Sequence, residues 1–149
     1  ARMAAGDYRF SASPIDLRKH AGALDALDRE VRGTARADDH AGFAALALGT
    51  VFALNDECVG YAYVWPDGRI GPLIATSSAY AMQFFAYAMV SLARTFQASW
   101  CTALVPGTNA RTLQAATRAG LAIDRVLLFA SDQPLLDLSR YVGFHQLAF

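Results

Sequence analysis

The chain has 149 residues, 54% of them hydrophobic and 17% charged, with 13 basic side chains balancing 13 acidic ones. That length suits one domain able to bury a core without disulfides or metal, and the balanced charge supplies no net field toward nucleic acid or an anionic membrane. Cys58 and Cys101 lie far apart in apolar, strand-like runs, which suits buried reduced thiols and a cytoplasmic setting better than a disulfide framework. The N-terminal ARMAAGDYRF lacks the basic-then-apolar order of a signal peptide. The longest apolar run, Ala79 to Ala93, is about 15 residues and is interrupted by Gln83 and Ser91, short of the roughly 18 to 20 that a bilayer span takes.

In chain order, residues 14–48 read as helices. Ser13-Pro14 is a helix-start pair, Leu17, Leu24, Leu27 and Val31 recur at helical spacing, and Gly33 ends the run. A second short helix is expected from Asp38 and Asp39 through Phe43, Leu46 and Leu48 to a stop at Gly49. From Thr50 to Ala75 three extended runs are punctuated by Asn55-Asp56-Glu57 and Pro66-Asp67-Gly68, the pattern of an antiparallel meander. Alternation in the middle strand puts Val59, Tyr61, Tyr63 and Trp65 on one face and Cys58, Gly60, Ala62 and Val64 on the other. After Ala75 the period changes to 3.6, and Ser77 and Ser78 are N-caps for a long helix through Phe96 that must be covered on several sides. A strand over 100–105, a Pro106-Gly107-Thr108-Asn109 turn, a helix ending at Gly120 and a strand over 122–130 follow. The tail carries Leu135, Leu136, Leu138, Tyr141, Val142, Phe144, Leu147 and Phe149, too apolar to be left in water. It is expected to pack on the domain or on a partner, including a second copy in a homodimer.

This order of elements over residues 50–130 resembles the GCN5-related N-acetyltransferase (GNAT) family. The resemblance implies an α+β fold with a mixed, centrally split sheet and helices on both faces. In such proteins the fourth strand parts from the fifth, the pantetheine arm of acetyl-CoA enters the gap, and a Gln/Arg-x-x-Gly-x-Gly/Ala turn cradles the pyrophosphate. The matching stretch is Thr76-Ser77-Ser78-Ala79-Tyr80-Ala81, in which Ala79 replaces the glycine and Ala81 fits the last place. The chemistry there is a row of backbone N–H groups at a helix N-terminus, and the stretch reads either as such an anion cradle or as an N-capped core helix with no ligand. The run NARTLQAATRAGL is similar to the family's Asn-x-x-Ala-x-x-x-Tyr-x-x-x-Gly-Phe pattern, which makes Asn109 either a contact to the cofactor arm or only an N-cap. The resemblance therefore assigns Ile74, Thr76, Ser77, Ser78, Ala79, Ala81 and Asn109 to the acyl donor.

The sequence departs from the family at Ala116, where many members carry a tyrosine acid, and at Leu121, where they carry phenylalanine. Direct transfer from a thioester to a well-placed amine does not depend on that acid, and no catalytic residue is assigned. Arg69-Ile70-Gly71-Pro72-Leu73-Ile74-Ala75 and residues 26–36 are similar to the second half of tandem acetyltransferase-like pairs, and ARMAAG to the end of a preceding domain. The resemblance then implies a C-terminal half whose neighbour is another GNAT domain. The division expected is an extension or linker over 1–13, the acetyltransferase-like domain over 14–131 and the apolar tail over 132–149. Two functions stay open: an acetyl-CoA-dependent N-acetyltransferase acting on an amine, or a non-catalytic GNAT-like module supporting a neighbour. His20, His40 and His145 show no metal-ligand spacing, Asp56 and Glu57 read as solvated turn carboxylates, and Arg111 and Arg118 as solvated bases.

Overall fold

The computed structural model describes residues 10–128 and 137–143. Among them a six-stranded sheet is built from β1 (Ser11–Pro14), β2 (Leu48–Leu54), β3 (Glu57–Val64), β4 (Arg69–Ala75), β5 (Thr102–Ala103) and β6 (Tyr141–Val142). Four helices accompany it: α1 (Leu17–Arg32), α2 (Ala37–Leu46), α3 (Ser78–Phe96) and α4 (Ala110–Arg118). The fold is α+β, with every strand pair antiparallel except β4 and β5.

The N-terminal segment departs from expectation. Ser13 and Pro14 belong to β1, which pairs with β2 from Ser11↔Ala53 to Pro14↔Thr50, and α1 starts later, at Leu17. Proline is tolerated on such an edge strand because its missing N–H need not face a partner. The cap is Asp16, whose side chain accepts from the Arg18 amide, and Gly33 in the left-handed region at φ 85° closes the helix. Leu24, Leu27 and Val31 are buried as their spacing required. α2 stops at Leu46; Leu48 and Gly49 already lie in β2, so Gly49 is a strand residue and not a helix stop.

The meander forms over 48–75, its first turn made by Asn55 and Asp56, both at positive φ. Tyr61, Tyr63 and Trp65 pack with Leu24, Leu27, Val31 and Phe43 under α1 and α2, while Ala62 and Val64 join Phe84, Phe85 and Leu92 under α3. The register shift at Phe52/Ala53 leaves one more residue on β3, so the alternation changes phase there. Val59 therefore lies with the α3 core and Cys58 against the α1–α2 core, opposite to strict alternation.

α3 is a single helix capped by Ser77, as its period required. Its buried stripe is Ala81, Phe84, Phe85, Ala88 and Leu92. Phe84 stacks on Phe52 with ring centroids 3.9 Å apart, an approach open because Gly60 has no side chain to meet that ring. The helix is not covered all round, since Tyr87 and Val90 are exposed.

The C-terminal third differs most. The 100–105 strand shrinks to Thr102–Ala103, and residues 121–128 have no regular secondary structure, leaving Ile123, Val126, Leu127 and Leu128 exposed. The remainder of the expected 122–130 strand, at 129–130, lies outside the described residues, as do 132–136 and 144–149 of the expected tail. Beside β4, past its two pairs with β5, runs β6, from the tail. No helix among the described residues is long and apolar enough to cross a membrane.

Candidate functional site

β4 makes its parallel pairing with β5 only at Arg69↔Thr102 and Ile70↔Ala103. Beyond a bulge at Gly71-Pro72 the same outer edge of β4 pairs with β6, antiparallel, at Leu73↔Val142 and Ile74↔Tyr141. Gly143 then bridges to Leu104 just past β5, its N–H 2.7 Å from the Leu104 carbonyl. β4 and β5 thus part after two pairs, and a short strand from the C-terminal segment stands between them.

Thr76 and Ser77 carry the chain from β4 into α3. The Thr76 amide donates to the Val59 carbonyl at 2.9 Å, and Ser77 Oγ accepts from the Tyr80 amide at 3.2 Å. The amides of Ser77, Ser78 and Ala79 are first-turn donors that an α-helix cannot satisfy from within, at the positive end of a 19-residue helix. Thr76, Ser77, Ser78 and Ala79 are half-buried. Ile74 and Ala81 have their side chains in the two hydrophobic cores, Ile74 beneath α1 and α2 and Ala81 on the buried face of α3. Their small or apolar character is accounted for by packing.

Asn109 is fully buried and its side chain is used twice. Oδ1 accepts from the Thr112 amide at 3.3 Å, capping α4, and Nδ2 donates to the Tyr141 carbonyl at 3.0 Å. The structure thus brings both Asn109 and Ile74 to Tyr141, the first through its side chain and the second as its strand partner. Ala116 is buried against the α3 core, its methyl filling space there. Arg111 and Arg118 are exposed on α4.

Tyr141 also connects to a buried polar network that the sequence reading did not assemble. Its hydroxyl accepts from Arg36 Nη2 at 3.1 Å. Arg36 Nε lies 3.0 Å from Asp28 Oδ1, an ion pair rather than a well-aligned hydrogen bond. Tyr61 donates to the same oxygen at 2.9 Å, and His40 Nε2 lies 2.8 Å from Oδ2 while its Nδ1 lies 3.0 Å from the Tyr63 hydroxyl. Asp28 and Tyr61 are 0% exposed. Burial, followed by the Asp28 carboxylate, pushes the Tyr61 phenol well above its ordinary range and Tyr63 upward for the same reasons. Burial works against the charge of Arg36, but Tyr61, Tyr141 and Asp28 outweigh it and its pKa rises. The available signal was Asp28 itself, an acid on the same helical stripe as Leu24 and Val31.

Asp25, Asp28 and His40 bring ligand atoms within 4.8 Å of one another. A cation there would face Arg36 and Arg32, the latter 3.7 Å from Asp28, so the donor set suits guanidinium rather than metal. His20 is separate, its Nδ1 accepting from the Asp16 amide at 3.0 Å. His145 lies outside the described residues. Burial raises the thiol pKa of Cys58 and Cys101, neither of which is in a disulfide.

No family model matches the chain, and no curated protein does. Two solved structures are similar. An integron cassette protein from the mobile metagenome of V. cholerae superposes with a TM-score of 0.53 at 15% identity, over 83% of this chain and 93% of that one. A point mutant of a Thermus thermophilus protein superposes with a TM-score of 0.58 at 16% identity, over 85% of this chain and 98% of that one. Neither is described by an activity, and at such identity the likeness establishes a shared α+β fold alone.

Proposed function

We propose that the chain is an acetyltransferase-type domain that takes acetyl-CoA where β4 and β5 part and transfers the acetyl group from the thioester to an amine. The observation that carries this reading is the parting itself: β4 loses β5 after Ile70↔Ala103 and runs directly into the N-terminus of α3. A long helix that opens with Ser78 and Ala79 presents small residues and uncommitted first-turn amides to an anion. The pyrophosphate half of the donor is compatible with that turn. The pantetheine arm is not compatible with the gap while β6 is paired to β4 and Asn109 is bonded to Tyr141. That misfit favours the second reading, a non-catalytic module of the same fold that supports a neighbouring domain or a second copy.

Calorimetric titration with acetyl-CoA separates the two, followed by measurement of thiol release with a panel of small and peptidyl amines. Saturable one-to-one binding is expected. Absence of binding at millimolar acetyl-CoA, both in the intact chain and in a variant with β6 loosened, would refute the enzyme reading and leave the non-catalytic one.

A further inference from the structure

We infer that β6 and the extended arm of the acyl donor compete for one edge of β4, so that the chain carries its own cover over the donor slot. The inference rests on the acyl-CoA reading above and resolves the misfit it leaves. Sheet edges recruit extended amide-bearing segments through backbone hydrogen bonds, and a pantetheine arm has two amides in an extended chain. The outer edge of β4 at Leu73 and Ile74 offers such groups and here takes Val142 and Tyr141.

Several residues are matched to the covering strand. Gly71, at φ 131°, has no side chain where the Gly143 carbonyl presses against it, and any β-carbon there would collide with that oxygen. Asn109 Nδ2 holds the Tyr141 carbonyl, and the Gly143 amide holds Leu104. At the other end Arg140 Nη1 donates to the Thr76 carbonyl at 3.1 Å and pairs with Glu30 at 2.6 Å, and Arg140 Nε pairs with Asp137 at 2.8 Å. Arg140 thereby ties the cover to the turn that leads into α3. The strand proper is only Tyr141–Val142, a short pairing for an extended ligand to replace.

The test pairs the intact chain with the double variant Arg140→Ala, Gly143→Pro. These changes remove the tie to the Thr76 carbonyl and the donor to Leu104 while replacing none of the residues assigned to the acyl donor. Acetyl-CoA and adenosine 3′,5′-bisphosphate, which lacks the arm, are titrated into both proteins, with melting curves confirming that each is folded. The variant is expected to bind acetyl-CoA at least about ten-fold more tightly while its affinity for the bisphosphate is unchanged. Equal acetyl-CoA affinity in the two proteins overturns the competition and leaves the donor site standing; binding by neither overturns the donor site as well. Should the variant fail to fold, hydrogen exchange decides in the intact chain. Acetyl-CoA should speed exchange at the Gly143 amide, and unchanged or slower exchange there overturns the inference.

Discussion

Replacing Asn109 isolates one of the bonds that fasten the C-terminal strand to the rest of the domain. Asn109→Ser keeps a good N-cap for α4 but ends one bond short of the amide that now reaches the Tyr141 carbonyl. Losing a hydrogen bond at that buried carbonyl costs about 1 to 3 kcal/mol. Asn109→Ala loses the cap too, a further loss of about 0.5 to 2 kcal/mol. For a chain of this size each kcal/mol lowers Tm by roughly 2 to 4 °C, so the serine variant should melt roughly 2 to 12 °C below the parent and the alanine variant lower still. Urea unfolding at neutral pH, followed by far-ultraviolet circular dichroism, gives the free energies, and hydrogen exchange at Gly143 locates the change. A serine variant as stable as the parent, with exchange at Gly143 unaltered, would show that Asn109 only caps α4 and that β6 is held by other contacts.

Ser78→Pro should leave α3 intact, because proline suits the first helical position, while deleting one donor at the proposed anion site. A charge-assisted bond is worth about 1.5 to 3 kcal/mol, so acetyl-CoA affinity should fall roughly ten- to hundred-fold, whereas Arg118→Ala should change it little; calorimetry reads both. Asp28→Asn should cost about 3 to 5 kcal/mol by leaving Arg36 buried without its counter-charge, and a thermal melt indistinguishable from the parent would contradict that assignment. Tyr61 and Tyr63 have raised phenol pKa values, so their stabilising effect is full below the unfolded value of 10.0 and is lost as pH rises toward the folded values. Phenolate absorbance should show these two still protonated at about pH 11 in the folded chain. Titration of both near pH 10 with the fold intact would count against their burial beside Asp28.

Local signals were sufficient where a segment's fate depends on its own period and caps. The stripe of Leu24, Leu27 and Val31 ending at Gly33, the turn at Asn55-Asp56, and Ser77 ahead of α3 all specify their elements within a few residues. Asn109 was legible as an N-cap for the same reason. What the sequence left undetermined was pairing between distant segments. Pro14 reads as a helix start until β2 supplies an edge for Ser11–Pro14, and the phase of Cys58 and Val59 follows strict alternation until a bulge against β2 resets it. The 122–128 run has the composition of a strand, yet β-structure is stabilised by the neighbour it finds, and this run has no regular secondary structure; the pairing of Tyr141–Val142 with β4 was equally unreadable from the sequence. The polar cluster was hidden likewise, because Asp28, Arg36, His40, Tyr61 and Tyr141 come from separate elements and meet only when α1, α2 and the sheet pack together. Helix periods and caps are written within one or two turns of chain, so the sequence alone determined them. The occupant of the gap beside β4 was decided only by tertiary structure, because a strand's partner is set by the backbone edge a distant segment meets and not by its own composition.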